Sequence, residues 1–222
     1  DGIRDLTVLE FRRVLFRSNE YETTAYEKYK YRIRFCWWGA EEVGLLGAED
    51  HVKNAKLSST AGERIQDYLI NLNFDMLGSP NFIFGIYDGR SQTTHTPNET
   101  VSGNKKTSLL FQNWFEEHNL PYDYTDFNGR SDYGPFLAEG IVAGGLFSGA
   151  DGIKTQEQYG RYANKLGDKL AGTVNETHDQ CYHRACDNIN NINLYAYEKM
   201  IQAAASILEI LARQDNLKTW LY

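Results

Sequence analysis

Apolar residues in this chain fall in short runs separated by polar, glycine-marked turns, and the runs are of two kinds. Arg32–Gly39 (RIRFCWWG), Tyr68–Leu77 (YLINLNFDML) and Ile141–Phe147 (IVAGGLF) are compact and rich in aliphatic and aromatic side chains, which predicts buried strands. Phe82–Tyr87 and Tyr122–Phe127 predict two further strands. Other stretches carry helical spacing. Ala40–Asn54 places Val43, Leu45, Leu46 and Val52 on apolar faces, and Thr107–His118 gathers Leu109, Leu110, Trp114 and Phe115 on one side. Tyr133–Glu139 predicts a short helix closed by Gly140. Leu194–Arg213 predicts a long one, with Met200, Ile201, Ala204, Ile207, Leu208 and Leu211 in register. Gly78-Ser79-Pro80-Asn81 is a strong turn signal; Arg90–Asn104 and Asn128–Asp132 read as loops, and Gly160–Asp187 as mostly irregular. Buried strands alternating with helices predict an α/β fold, a mixed but mainly parallel central sheet covered by helices on both faces.

A length of 222 residues suits one domain with a sizeable core. The formal net charge of −7 argues against nucleic acid as a partner, since phosphate binding needs a basic surface. No apolar run approaches the roughly 20 residues that span a bilayer, and the first residues do not form a signal peptide. Cys36 lies in an apolar run and reads as a buried free thiol. Cys181 and Cys186 could be a zinc pair, a disulfide or two separate thiols. A structural zinc wants four ligands and there is no second pair, so a local disulfide is favoured, which implies an oxidising, extracellular setting. Asn-Glu-Thr sequons at Asn98 and Asn175 agree with secretion but are common by chance.

The first eighteen residues (DGIRDLTVLEFRRVLFRS) have no periodicity that joins them to the rest of the chain. Leu9 to Ser18 back-translate to CTG GAG TTC AGA CGT GTG CTC TTC CGA TCT, the end of a widely used sequencing-library adapter, and Asp1 to Asp5 back-translate to an earlier part of it. Our hypothesis is that residues 1–18 are translated adapter fused to a truncated reading frame, with 19–222 the C-terminal two-thirds of one domain. Finding these codons continuous with the rest in genomic DNA would end it.

Three places concentrate acidic and imidazole groups, two of them at the ends of predicted strands, where open α/β sheets form their sites. Glu41-Glu42 follows the first strand; paired acids at a helix start often only complement the helix dipole. Asp75 ends the second strand, where a lone Asp is as often a turn residue. His183 stands between Cys181 and Cys186, and a single His is usually structural. Separately these are weak signals. Together they form a set of carboxylates and an imidazole that suits a borderline cation such as zinc, with a neighbouring Glu free to take a proton from water.

At this point the sequence resembles the M28 aminopeptidases, most closely the secreted bacterial and fungal types, over roughly Lys30 to Arg213. RIRFCWWGAEEVGLLGAEDHV is similar to the family's strand–Glu-Glu–helix segment and NLNFDMLGSPN to its metal-Asp strand. GRSDYGPF with GIVAGGLFSGA is similar to its substrate pocket, and CYHRACDNINNIN to its metal-His loop with the short Cys181–Cys186 disulfide. The resemblance implies hydrolysis of the N-terminal peptide bond of peptides at two zinc ions. Glu41 would be the general base and Tyr182 an oxyanion donor. Glu42 and His183 would hold one zinc and Asp75 the other. Arg130 would lie near the substrate's amino end and Phe147 would wall a pocket for a large hydrophobic first residue. The chain departs from the family upstream of Glu41: no His precedes His51, and nothing before Arg32 resembles the segment with the remaining His and the bridging Asp. The expectation is an active parent enzyme, and a chain that lacks two ligands and one or more early strands and cannot assemble the zinc pair. It is further expected to be a secreted monomer with no membrane span. Two rivals stand beside this reading: a single-zinc glutaminyl cyclase on the same fold, and a receptor-like ectodomain that has lost its metals. The Glu41-Glu42 pair with the GRSD and CYHRAC segments favours the peptidase over the first, and retention of Glu41, Glu42, Asp75 and His183 argues against the second.

Overall fold

The computed structural model describes residues 29–91 and 96–222. The adapter-like segment 1–18 lies outside them. Four strands form one sheet: β1 (Ile70–Asp75), β2 (Gly85–Tyr87), β3 (Asp123–Thr125) and β4 (Val142–Phe147). Their order is β1-β4-β2-β3, with β1 parallel to β4, β2 parallel to β3, and β2 antiparallel to β4. The helices are α1 (Leu46–Leu57), α2 (Val101–Glu117), α3 (Gly134–Ala138), α4 (Gln156–Leu166), α5 (Asp168–Ala171), α6 (Leu194–Ala212) and α7 (Leu217–Leu221).

Alternation along the strands divides the protein into two sides. Ile70, Leu72 and Phe74 of β1, Ile86 of β2, and Val142 and Leu146 of β4 join the main core, which α2 and α6 cover with Phe111, Trp114, Phe115, Met200, Ile207 and Leu211. The opposite face carries a smaller cluster of Tyr87, Phe127, Tyr133, Leu137 and Ala143, edged by Phe147. Beside it α1 packs on α3 through Ala48, Val52, Phe136 and Ile141. The expected mixed, mainly parallel sheet with helices on both faces is therefore present.

The docking of α2 on β4 is unusually close, and small or polar residues make it so. A β-carbon at Gly103 would lie 2.4 Å from Val142 Cγ2, and one at Gly144 would lie 2.4 Å from Thr107 Cγ2. Asn104 Oδ1 accepts from the Ala143 N–H at 2.9 Å, and Ser108 Oγ donates to the Tyr87 carbonyl at 2.7 Å. These contacts start α2 at Val101, six residues before the predicted Thr107, inside the stretch expected to be a loop.

Other expectations need correction. Arg32–Gly39 is not a strand: no neighbouring strand occupies the outer edge of β1 among the described residues, and Phe35 and Trp37 stand 42% and 50% exposed. Cys36 is exposed rather than buried for the same reason. The helix expected over Ala40–Asn54 is split. Ala40, Gly44 and Leu45 all have positive φ, so Glu41–Val43 form one tight turn and α1 begins only at Leu46. The region read as irregular contains most of α4, whose start is fixed by a capping box: Thr155 Oγ1 accepts from Gln158 N at 3.1 Å while Gln158 Oε1 accepts from Thr155 N at 2.9 Å.

Helix α4 also brings a buried polar assembly into the core. Tyr162 is fully buried; its hydroxyl accepts from Phe84 N at 2.6 Å and donates to Asp123 Oδ2 at 3.0 Å. Lys154 is fully buried as well. Its ammonium donates to the Phe82 carbonyl at 2.7 Å and sits 4.5 Å from the centre of the Tyr162 ring. Burial holds the Lys154 amine down at about 8, with Asp123 partly opposing.

Candidate active site

The carboxyl ends of β1 and β4 carry the candidate site. The alternation that sends Phe74 to the core turns Asn71, Asn73 and Asp75 to the other face, and Asp75 pairs in register with Phe147 at the end of β4. Asn73 Nδ2 donates to Ser131 Oγ at 2.9 Å, and Ser131 Oγ donates to Asp75 Oδ2 at 2.7 Å. This relay fixes the carboxylate. Met76 follows with a φ of 53°, which turns the chain sharply past the strand end. Burial raises the Asp75 carboxyl, with the charge of Glu42 adding and the Ser131 hydrogen bond opposing.

Asp132 is the neighbour of Ser131 on the glycine-bearing loop. Its carboxyl is pushed up to about 6, first by burial and then by Asp75. Its Oδ1 is buried and accepts no hydrogen bond from any described residue. An orphaned carboxylate oxygen among other acids is costly unless a cation or donor meets it.

The Glu41–Val43 turn brings two more acids. Glu41 is pushed up to about 7, by burial first and then by Asp75, Glu42 and Asp132, with His183 opposing. Glu42 is exposed, and its Oε1 lies 2.6 Å from His183 Nε2.

The last piece is the Tyr182–His183 loop. Cys181 and Cys186 form the disulfide, with Cα atoms 5.3 Å apart. Asp179 is buried beneath it, and its Oδ1 accepts from Cys181 N at 2.8 Å and from Asn191 Nδ2 at 2.9 Å. His183 has a φ of 57°, and the Tyr182 ring stacks on its imidazole at 3.8 Å between centres. Tyr182 is raised by burial and then by Glu42, Asp75, Asp151 and Glu41. A cavity of about 270 Å³ opens beside Tyr182, lined also by Asp151, Glu176, Asp179 and Arg184.

The residues singled out from sequence thus gather on one side of the sheet ends. Of the candidate metal ligands and base, only Glu42 and His183 are hydrogen-bonded to each other, and no three His, Cys, Asp or Glu side chains stand at metal-holding spacing among the described residues. Arg130 is exposed on the loop that carries Ser131, its backbone N–H donating to Asn128 Oδ1 at 3.0 Å. Phe147 is half-buried and stacks on Tyr87 at 6.5 Å. Sequence reasoning missed Asn73, Ser131, Asp132 and Asp179. The polar positions 71, 73 and 75 of an otherwise apolar strand were the signal for Asn73, and the Ser-Asp step after Arg130 was the signal for the loop pair. In chemistry, two carboxylates and an imidazole are donors that a divalent cation takes, and the crowd of acids around the Asp132 oxygen is an environment that a cation stabilises.

The carboxyl ends of the strands, where open α/β sheets bind their ligands, are where these acids and the imidazole lie. Residues 6–208 match the model of peptidase family M28, and the chain belongs to that family. It is 40% identical over 181 residues to an aminopeptidase of Pseudomonas aeruginosa, a match covering 82% of this chain and 31% of the relative. It is 37% identical over 188 residues to a probable leucine aminopeptidase 2 of Aspergillus fumigatus, covering 85% and 34%. The Legionella pneumophila LapA aminopeptidase shares the fold, with a TM-score of 0.57 at 19% identity over 86% of this chain and 42% of that one. The chain spans about a third of the length of the curated relatives it matches.

Proposed function

We propose that the protein is a metal-dependent aminopeptidase that removes the first residue of peptides and favours a large hydrophobic one. The observation that carries this reading is the meeting of Glu42 and His183 at 2.6 Å, two residues 141 apart in sequence, beside Asp75 and Glu41. Both kinds of relative, bacterial and fungal, are described as aminopeptidases.

Zinc, when bound, supplies a Lewis acid that polarises the scissile carbonyl and acidifies water. Glu42 and His183 would hold one ion and Asp75 would contribute to a second. The remaining His and bridging Asp expected from the resemblance have no counterpart in this sequence before His51. Glu41 is the base: held near 7, it can accept a proton from water and release it to the leaving amine at neutral pH. The Tyr182 hydroxyl, kept protonated by burial and then by the acids around it, donates to the oxygen that gains charge. Phe147 offers an apolar wall beside Asp75, and Arg130 stands on the rim. The disulfide supports an extracellular or otherwise oxidising location.

The test is zinc titration by calorimetry on the full chain. Binding is expected to be lost in Glu42→Ala and His183→Ala and retained in Lys199→Ala, on helix α6. A chain that binds no zinc, or whose binding ignores both site substitutions, overturns the reading.

A further inference from the structure

Asn81 stands at the end of the Gly78–Asn81 turn and is 8% exposed. Every hydrogen bond its side chain makes reaches a segment about a hundred residues away. Nδ2 donates to the carbonyls of Thr173 at 3.0 Å, Glu176 at 3.2 Å and Thr177 at 3.2 Å, while Oδ1 accepts from Thr173 N at 2.9 Å. Its backbone does the same: Asn81 N donates to the His178 carbonyl at 2.9 Å, and the Asn81 carbonyl lies 2.9 Å from His178 Nδ1. The fit is tight, since a β-carbon at Gly172 would lie 2.0 Å from Asn81 Oδ1.

Both ends of this strap lead to the candidate site. On one side, the turn is tied to the strand ends: Gly78 N and Ser79 N donate to Ser148 Oγ at 3.0 Å each, and Ser148 N donates to the Met76 carbonyl at 2.7 Å, next to Asp75. On the other side, the segment 173–178 continues directly into Asp179, whose carboxylate shapes the Tyr182–His183 loop. Backbone hydrogen bonds also tie this segment to the chain beyond β4, with Asp179 N donating to the Ala150 carbonyl and His178 N to the Gly152 carbonyl at 2.8 Å each; Asn81 adds the side-chain crossing that joins it to the turn after β1.

We propose that Asn81 is a positioning residue that sets the Tyr182–His183 loop against the Asp75 end of the sheet. Its geometric part stands on these hydrogen bonds; its consequence for metal binding rests on the function proposed above. An amide is required because it offers two N–H donors, shared among the three carbonyls, together with an acceptor for an N–H on one short side chain. Aspartate has the same shape but, ionised, donates nothing and would face the Thr173, Glu176 and Thr177 carbonyls with negative charge.

The experiment compares wild type, Asn81→Ala, Asn81→Asp and Ile207→Ala in the full chain. Ile207 lies in the core on the far face and serves as a control for lost stability alone. Two readouts are used: the nuclear Overhauser contact between the His183 ring and the Glu42 side chain in metal-free protein, and cobalt affinity with the shape of its visible absorption band. Both Asn81 variants are expected to lose the contact, weaken cobalt binding at least tenfold and alter the band, while Ile207→Ala lowers the melting temperature and moves neither. Retention of the contact and of cobalt affinity in Asn81→Ala overturns the proposal, as does equal loss in Ile207→Ala. If wild type binds no cobalt yet Asn81→Ala alone loses the contact, the metal reading fails and the positioning role stands.

Discussion

Replacing Lys154 with Met should remove a pH dependence of stability that the wild type carries in the alkaline range. The ammonium is fully buried between the Phe82 and Tyr162 rings, and it donates a hydrogen bond to the Phe82 carbonyl. The folded state holds the amine at about 8 against an ordinary 10.5. That displacement amounts to roughly 3.5 kcal/mol against the charged form, at about 1.4 kcal/mol for each pH decade. Because the folded value is the lower one, stability from this group is fully present above 10.5 and is lost as pH falls through 8. Urea unfolding of the wild type should therefore show about 2 kcal/mol more stability from this source at pH 9.5 than at pH 7. Tyrosines also titrate in that range, so the quantity to measure is the difference between wild type and Lys154→Met at each pH. Met fills the same space without a charge. Parallel curves for the two proteins would mean that the ammonium is not desolvated by the fold, and the reasoning would fail.

Glu41→Gln should change the opposite limb. The Glu41 carboxyl is held up at about 7, so its stabilisation is complete below 4.5 and is lost as pH rises through 7; relative to the variant, wild type should weaken across that window in chemical denaturation, and a constant difference between the curves would count against the acid crowding described. Phe84→Ala should cost about 3–5 kcal/mol, because the ring is fully buried among Phe82, Phe115 and Tyr162; a loss under about 1 kcal/mol in urea unfolding would show that this part of the core is not packed as described. Cys181→Ser with Cys186→Ser should cost about 2 kcal/mol, the small amount expected for closing a short loop, while weakening zinc binding; unchanged calorimetric affinity would show that the bridge does not hold His183 in place.

The sequence made the hydrophobic framework readable. β1 and β4 announced themselves because their apolar residues alternate with or exclude polar ones, and α6 because Met200, Ile207 and Leu211 repeat at helical spacing. It misled where burial is not apolar. The first turns of α2 pack on the sheet through Gly103, Asn104, Thr107 and Ser108, residues whose small size and hydrogen bonds matter more than hydropathy, so they read as loop. Arg32–Gly39 failed in the other direction: its apolar composition is that of a strand, but composition does not supply a neighbour to pair with. Helix α4 could have been found, since Tyr159, Tyr162, Ala163 and Leu166 repeat correctly behind the Thr155–Gln158 cap. At the candidate site, Glu42, Asp75 and His183 were singled out after a predicted strand, at a strand end and on a cystine loop, and the fold brings Glu42 to His183 although no strand precedes it. The Asn73–Ser131–Asp75 relay was not, because it joins parts of the chain that only the fold brings together.

The interlocking of α2 with β4 constrains how this part of the fold can move. Where Val142 meets Gly103 and Thr107 meets Gly144 there is no clearance for a single methyl group, so helix and strand cannot slide past one another without unlocking. The helix and strand therefore behave as one block, and the site at the end of β4 is carried on it.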